Sequence, residues 1–569
     1  NTTSSGRFRT RLGCASAGPE RSVADLAVLV RPGRLSQSLA ADPGLLLTFL
    51  GAGAVLGLFV LYPAFRVLVY PSLNDYLSIP QSLRWLQAAR NSLVMMVIST
   101  LSATLLGLVF AFATTRADVP GRRLFRTLAM LPLFAPPFMV AFAYILMFGR
   151  QGLITKSLLG LNANIFGWHG LWLVQTIAFL PLAMLIIAGV LEAVNPSLEH
   201  AARNLGADEW TVVRTISLAL ARPGIAGAML VVAISVLADF GNAVIIAGGF
   251  PLLATEAWFR MEGMGDLKGA ALVVAMLLVP TVLLFFLERF WVSRRVYTAV
   301  TGRGSRIARP PTPPVLKWGA VGVCTLAGVM ILLVYVGVIA GAFTTVWGRD
   351  WSLTLDHWRL AADRIASLWA SVRIGVLAGL ITGAVGVLVA FLTSRRLPLR
   401  QVLDFMAVLP GALPGVFVGV GYVLAFNATP LGGTPWVLVL ALAFWHLPMG
   451  YQAASARLKQ IERAIEEAAV NLGANGLRVL RDIYFPLLLR ALIEAFAVSF
   501  IRAVTNVSIV IFLITPGQVV ATFVILNMIQ NNIWGAAAAL TTMLLLLTFA
   551  SIGITWTTVA RVVRTPGIA

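Results

Sequence analysis

The stretch Glu466-Glu467-Ala468-Ala469-Val470-Asn471-Leu472-Gly473-Ala474 has a near copy 267 residues upstream, Glu199-His200-Ala201-Ala202-Arg203-Asn204-Leu205-Gly206-Ala207. The same offset joins Val212 to Val479, Arg214 to Arg481 and Ile216 to Ile483, giving about ten identities in twenty positions. Further upstream, Leu131-Pro132 with Pro136 matches Leu409-Pro410 with Pro414, at an offset changed by a few loop residues. Ordered matches of this kind mean an internal duplication.

The nature of the duplicated unit follows from composition. The chain has 569 residues, 59% of them hydrophobic and only 12% charged, with a mean hydropathy of +0.88; a soluble protein carries about twice that charged fraction. Apolar runs near the roughly 20 residues that cross a bilayer fall at 45–69, 92–114, 128–148, 171–191, 224–249 and 270–291, and again at 316–341, 371–393, 404–426, 436–456, 490–513 and 537–560. Six spans per copy is an even number, so the second copy enters the membrane in the same sense as the first. The fold expected is all-α, a polytopic membrane protein of about 12 transmembrane helices in two parallel six-helix repeats. An odd number would have produced inverted repeats. A pathway between the halves is the natural place for cargo.

The domains expected are a cytosolic tail over 1–44, a first half over 45–292, a linker over 293–315 and a second half over 316–569. The tail is Arg- and Ser-rich and lacks the apolar core of a secretory signal. Arginines and the run Pro310-Pro311-Thr312-Pro313-Pro314 mark the linker, where no helix can continue.

A formal charge of +20 raises nucleic acid as a partner, but the arginines are scattered in short clusters between apolar runs. The positive-inside rule accounts for them, and no nucleic-acid partner is expected. With both termini cytoplasmic, about 31 of the 43 basic residues lie inside and about 11 outside. Intervals 249–270 and 342–370 are then extracytoplasmic, the second an interfacial aromatic segment with Trp347, Trp351, Trp358 and Trp369. Two cysteines, Cys14 and Cys324, and four separated histidines offer no disulfide framework, zinc spacing or catalytic cluster. No metal site, catalytic residue or cofactor is expected on this chain.

Both repeated motifs fall in the loop between the fourth and fifth spans, over 195–222 and 460–490, on the cytoplasmic side. Asn195-Pro196-Ser197 offers an N-cap with Pro at the first helical position. Ala201 and Ala202 leave a helix face that can seat closely in a groove, and Gly206 can end the helix. A short helix lying across the cytoplasmic face is expected, in a place suited to docking.

Glu467, Ala468, Ala469, Gly473, Ile483, Phe485 and Pro486 resemble the signature loop of permease subunits of binding-protein-dependent ABC importers, with Phe485 where the family has Leu. In the first half Ala201, Ala202, Gly206, Ile216 and Leu218 match, while His200 replaces the Glu and Ala219 the Pro. The resemblance covers both halves. It implies that each loop helix docks in a cleft of an ATPase, through Glu199, Ala201, Ala202 and Gly206 in the first half and Glu466, Glu467, Ala468, Ala469 and Gly473 in the second, with unequal strength. It further implies two copies of an ABC ATPase, an extracytoplasmic substrate-binding protein, a bacterial inner-membrane location and alternating access. The chain has no G-x-x-x-x-G-K-[ST] phosphate loop, so ATP and Mg belong to the partner.

Ionisable groups inside spans are costly and mark candidate pathway residues. Asp239, in Ala238-Asp239-Phe240-Gly241-Asn242, matches Asn506, one helical turn beyond Arg502. Asp239, Asn242, Arg502, Asn506 and Ser508 are the pathway candidates, with Asp239 and Arg502 a possible pair across the halves; a packing role is the equal alternative. Gly411, Gly415 and Gly419 read first as close helix packing and second as a helix break along the path.

The fused halves, the Asp239 segment and Leu253-Ala254-Thr255-Glu256 look like the ferric-iron type of permease. That type often carries a Glu where Asn506 or its neighbours stand, and this chain departs there. Phosphorylated sugars, 2-aminoethylphosphonate and thiamine are the alternative cargoes. An ion-coupled secondary transporter with Asp239 as proton site is the alternative class, against which the doubled docking loop argues.

Overall fold

A computed structural model describes residues 43–292, 312–395, 397–515 and 519–564. Most of the expected tail and linker therefore lie outside the described residues.

Among the described residues eight helices are long and apolar enough to cross a membrane: Pro43–Val69, Leu83–Thr115, Trp168–Ala193, Glu209–Leu237 and Leu267–Phe290 in the first half and Pro314–Phe343, Ile365–Ser394 and Trp534–Arg561 in the second. Two bent pairs, Arg400–Ala412 with Gly415–Phe426 and Pro435–Trp445 with Leu447–Leu458, bring the count to ten. The remaining two of the expected twelve are Met139–Phe148 and Phe485–Val504. The first is only 10 residues long; the second carries Arg490, Glu494 and Arg502.

Several elements depart from the hydropathy reading. Leu83–Thr115 starts nine residues before the apolar run at 92, because Arg84 and Arg90 lower the local hydropathy without stopping the helix. Glu209–Leu237 likewise begins well before 224, running through Pro223. It also stops at 237, well short of 249. The segment 404–426 is not one straight helix. Leu413 is extended at φ −89° and ψ 122°, as the residue before a proline prefers, and the helices on either side of Pro414 meet at 113°. The first-half counterpart breaks likewise, Arg122–Met130 and Leu131–Leu133 being separated from Met139–Phe148 around Pro136 and Pro137.

Among the described residues the all-helical pattern has one small exception. Thr344–Val346 pairs antiparallel with Asp350–Leu353, and Trp347 and Trp351 of this hairpin lie 5.2 Å apart, centroid to centroid.

The repeats are visible in the packing. Second and fourth spans cross where side chains are smallest: a Cβ added at Gly107 would stand 2.6 Å from Ala183, and one at Gly386 would stand 2.7 Å from the backbone of Gly450. Small residues at a crossing let apolar helices gain close van der Waals contact. Ser92 accepts the backbone N–H of Leu253 at 3.0 Å, and Ser371 accepts that of Ala521 at 2.9 Å. Each serine thereby satisfies the first, otherwise orphaned, donor of a short helix.

Each first span belongs to the opposite half. Tyr422 donates to the Phe59 carbonyl at 2.7 Å, and a Cβ at Gly421 would meet Pro63 and Val67. Reciprocally, Tyr335 donates to the Leu131 carbonyl at 2.6 Å. The exchange closes on equivalent acceptors: Arg66 donates to the Leu424 carbonyl at 3.2 Å and Trp347 to the Leu146 carbonyl at 2.7 Å. The two halves thus interlock.

Candidate functional site

Two places deserve the name. One is the face that carries the repeated motif, and the other is the polar interior around the fifth spans.

The expected docking helices form at Pro196–Asn204 and Arg463–Asn471. Asn195 caps the first, accepting from Ser197 N at 3.0 Å. Gly206 and Gly473 end them at φ +88° and +86°, a left-handed turn that a Cβ disfavours and glycine adopts freely.

The two glutamates that open the motif point inward. Glu199 is 4% exposed; it accepts from Ser217 Oγ at 2.7 Å and lies 3.2 Å from Arg116 Nη1. Glu466 repeats the arrangement, accepting from Tyr484 at 2.8 Å and pairing with Arg395. Arg116 also donates to the carbonyls of Leu191 and, at 2.7 Å, Val194. Arg395 stacks on Phe391 and Tyr484, at 4.3 and 5.2 Å from the ring centroids. One guanidinium in each half thus joins the docking helix to the end of the second span, and in the first half to the end of the fourth as well. Burial removes most of the solvent screening, so the link is stiff to removal of either partner. Glu199 and Glu466 are placed to hold the helix rather than to present it.

What the helices present is different. Ala201, Asn204, Leu205 and Gly206 are exposed in the first, and Glu467, Ala468, Asn471, Leu472 and Gly473 in the second; Ala202 and Ala469 are half-buried. Leu205 and Leu472 are each 89% exposed. Two equivalent leucines held in solvent at the tip of equivalent turns form an apolar knob on each half, and His200 against Glu467 makes the surrounding charge unequal. The first helix has an added brace, Arg203 to Glu209 at 2.5 Å, with no acidic residue at the second half's matching Gly476. A hydrogen bond from Thr211 holds the Asp208 carboxyl below its ordinary range.

Sequence reasoning missed Arg116, Arg395, Ser217, Tyr484, Leu205 and Leu472. The signal for the leucines was present: an identical apolar residue ahead of the turn glycine in both copies. For the arginines, only their matching places just past the second spans could have flagged them.

In the interior, Asp239 is buried and its carboxylate accepts from Gln175 Nε2 at 3.0 Å and from the backbone and side-chain nitrogens of Asn242 at 3.2 Å. Gln175 accepts in turn from Ser99 Oγ at 2.8 Å. Asn506 plays the matching capping part, accepting from Ile509 N at 2.9 Å. Asp239 and Asn506 thus stand at the same break, where the fifth span gives way to a short helix, Gly241–Ile246 or Val510–Leu513. Phe240 and Phe512 meet across the halves at this level, centroids 6.3 Å apart.

The expected pairing of Asp239 with Arg502 does not occur. Asp239 has amide partners from its own half, and Arg502 makes no ion pair or hydrogen bond among the described residues. Ser508 packs against the broken third span, where a Cβ at Gly415 would stand 2.2 Å from its Oγ; Gly419 is similarly close to Phe512. Close packing and a helix break therefore hold together at this glycine run. Among the described residues no group of three or more His, Cys, Asp or Glu side chains could hold a metal ion.

The family model described as the binding-protein-dependent transport system inner membrane component matches this chain twice, over residues 103–297 and 375–560. The chain is 32% identical over 477 residues to the ferric transport system permease protein FbpB of Actinobacillus pleuropneumoniae, covering 81% of this chain and 69% of that one. It is 31% identical over 479 residues to the putative ferric transport system permease protein FbpB 1 of Haemophilus influenzae, covering 80% and 76%. A shorter match, 35% over 169 residues, covers 29% of this chain and 73% of the molybdenum transport system permease protein ModB of Escherichia coli. The two matched segments each contain one copy of the motif helix and one broken third span, and on this doubled plan the chain belongs to the family of binding-protein-dependent transport system inner membrane components, as a fused two-half ABC permease.

Proposed function

We propose that this chain is the membrane-spanning subunit of an ATP-driven importer in a bacterial inner membrane, with ferric iron as its cargo. A binding protein delivers cargo on the outer face, and two copies of an ABC ATPase dock on the loops around Leu205 and Leu472, with ATP and Mg bound on that partner. The arginine bias supports placing both termini in the cytoplasm.

The observation that carries this reading is the doubled docking helix, fixed to its own half by an inward-turned glutamate and bearing an exposed leucine at the same place in each copy. Closure of two ATPases would push both helices, and Arg116 and Arg395 would pass the movement to the spans. Iron as the cargo rests on likeness to the two ferric permeases.

The test is uptake of radioactive ferric iron by the iron-starved native host, with any second ferric system deleted, with and without this gene. Loss of uptake that returns with the gene is the expected result. Unchanged uptake refutes iron as the cargo and turns attention to phosphorylated sugars, 2-aminoethylphosphonate or thiamine. Co-purification with an ABC ATPase separates the importer from an ion-coupled transporter.

A further inference from the structure

The interior of the second half holds a group of polar side chains left without partners. Arg502 lies within the span Phe485–Val504 and deep in the bundle, yet it is partly accessible. Neither ring nitrogen of His446 has a hydrogen-bond partner, although the residue is 2% exposed. His446 sits at the bend between Pro435–Trp445 and Leu447–Leu458, both of which pack against Phe485–Val504, the helix that carries Arg502. Ser499, one turn before Arg502 on the same helix face, is fully buried with its hydroxyl unpartnered.

A guanidinium in a membrane span without a counter-charge is too costly to face lipid or a dry core, so it faces a water-filled cavity or awaits a ligand. Two ring nitrogens and a hydroxyl left open beside it carry the same cost, which a hydrogen-bonding ligand would remove. The first half does not repeat the arrangement: its matching residues are Ser235, Phe179 and Val232. The features are thus a property of one half, and the duplicated fold does not require them.

Their chemistry selects the ligand. A guanidinium offers a planar fork of donors matched to a carboxylate or phosphate. A bare ferric ion would be repelled by it, and the carboxylate on the other half, Asp239, has both oxygens already occupied by N–H donors. We infer that Arg502, with His446 and Ser499, forms a one-sided anion-reading site in the pathway, and that ferric iron crosses still bound to an oxyanion ligand. This inference rests on the ferric reading above for the metal, but on this chain's own residues for the anion.

The test uses the whole complex, with ATPase and binding protein, reconstituted in lipid vesicles. The binding protein is loaded with 55Fe and either [32P]phosphate or [14C]citrate, and both labels are followed inward. Expected is entry of one anion label with iron in fixed ratio, a loss of iron entry of at least tenfold in Arg502→Gln, and substantial retention in Arg502→Lys. ATPase retention should be unchanged in both. If Arg502→Gln sheds the ATPase, His446→Phe, which installs the first half's residue, takes its place, with a severalfold loss expected. Iron entering at the full wild-type rate with neither label, in wild type and variants alike, overturns the anion site while leaving ferric import intact. Anion label entering without iron overturns ferric cargo while leaving the site intact.

Discussion

Glu199 on the first docking helix lies 3.2 Å from Arg116 at the end of the second span, both side chains nearly sealed from solvent. Removing one member of such a pair strands the other, at a cost of about 3–5 kcal/mol. Arg116→Ala is therefore expected to loosen the docking helix, and Arg395→Ala the other one. The measurement is ATP hydrolysis against cargo uptake in the assembled complex. Hydrolysis that persists while uptake falls at least tenfold is the expected split; equal, small losses in both would show that the guanidinium carries no coupling.

Leu205 and Leu472 have no intramolecular reason to be in solvent. Burying one leucine side chain is worth about 1.5–3 kcal/mol, so Leu472→Ala should weaken ATPase binding by roughly tenfold, about 1.4 kcal/mol. Leu205→Asp with Leu472→Asp should release the ATPase on a sizing column. Normal retention of the ATPase by the double variant would place the docking contact elsewhere.

The Asp208–Thr211 contact in the first docking loop should persist across the physiological pH range. Asp208 is held below its ordinary value of 3.8 by the Thr211 hydroxyl, so the charged form favours the folded loop. That contribution is present at pH above the ordinary value and is lost only as pH falls through the depressed one. Thr211→Val should return the Asp208 titration towards 3.8, read by carbon NMR of the carboxyl group. An unshifted titration in the variant would show that another group sets it.

The exchange of first spans is testable by cross-linking. A Cβ at Gly421 would stand 3.2 Å from Val67, so Val67→Cys with Gly421→Cys, in a chain whose own Cys14 and Cys324 are replaced, should link under mild oxidation. A link joining Val67→Cys to a cysteine at its own half's third span instead would show that the halves do not interlock.

Much of this architecture could be read from the residues. Hydropathy located the spans because lipid accepts only continuous apolar helix, and the duplication of Glu199–Ala207 at 466–474 placed the docking helices. Gly411, Gly415 and Gly419 with the prolines at 410 and 414 read first as packing and only second as a break, and that both hold depended on Ser508 and Phe512, more than ninety residues later. The inward turn of Glu199 was not legible because its partners, Arg116 and Ser217, are distant and ordinary in isolation. The Asp239 to Arg502 pairing failed for a related reason. Matching positions in a repeat say which residues are equivalent, and nothing about which way each side chain turns once Gln175 and Asn242 compete for it.

The Tyr422 to Phe59 hydrogen bond spans 363 positions of the chain. During synthesis the first helix must enter the bilayer long before the ribosome has made the segment against which it finally rests. Until then its Phe59 face, and the face of Val60 and Pro63, meets lipid or a holding factor. Contacts this distant in sequence form late, so Pro43–Val69 is among the last helices to find its place. A chain halted after the first half would lack the partner for its own beginning, which ties the maturation of each half to completion of the other.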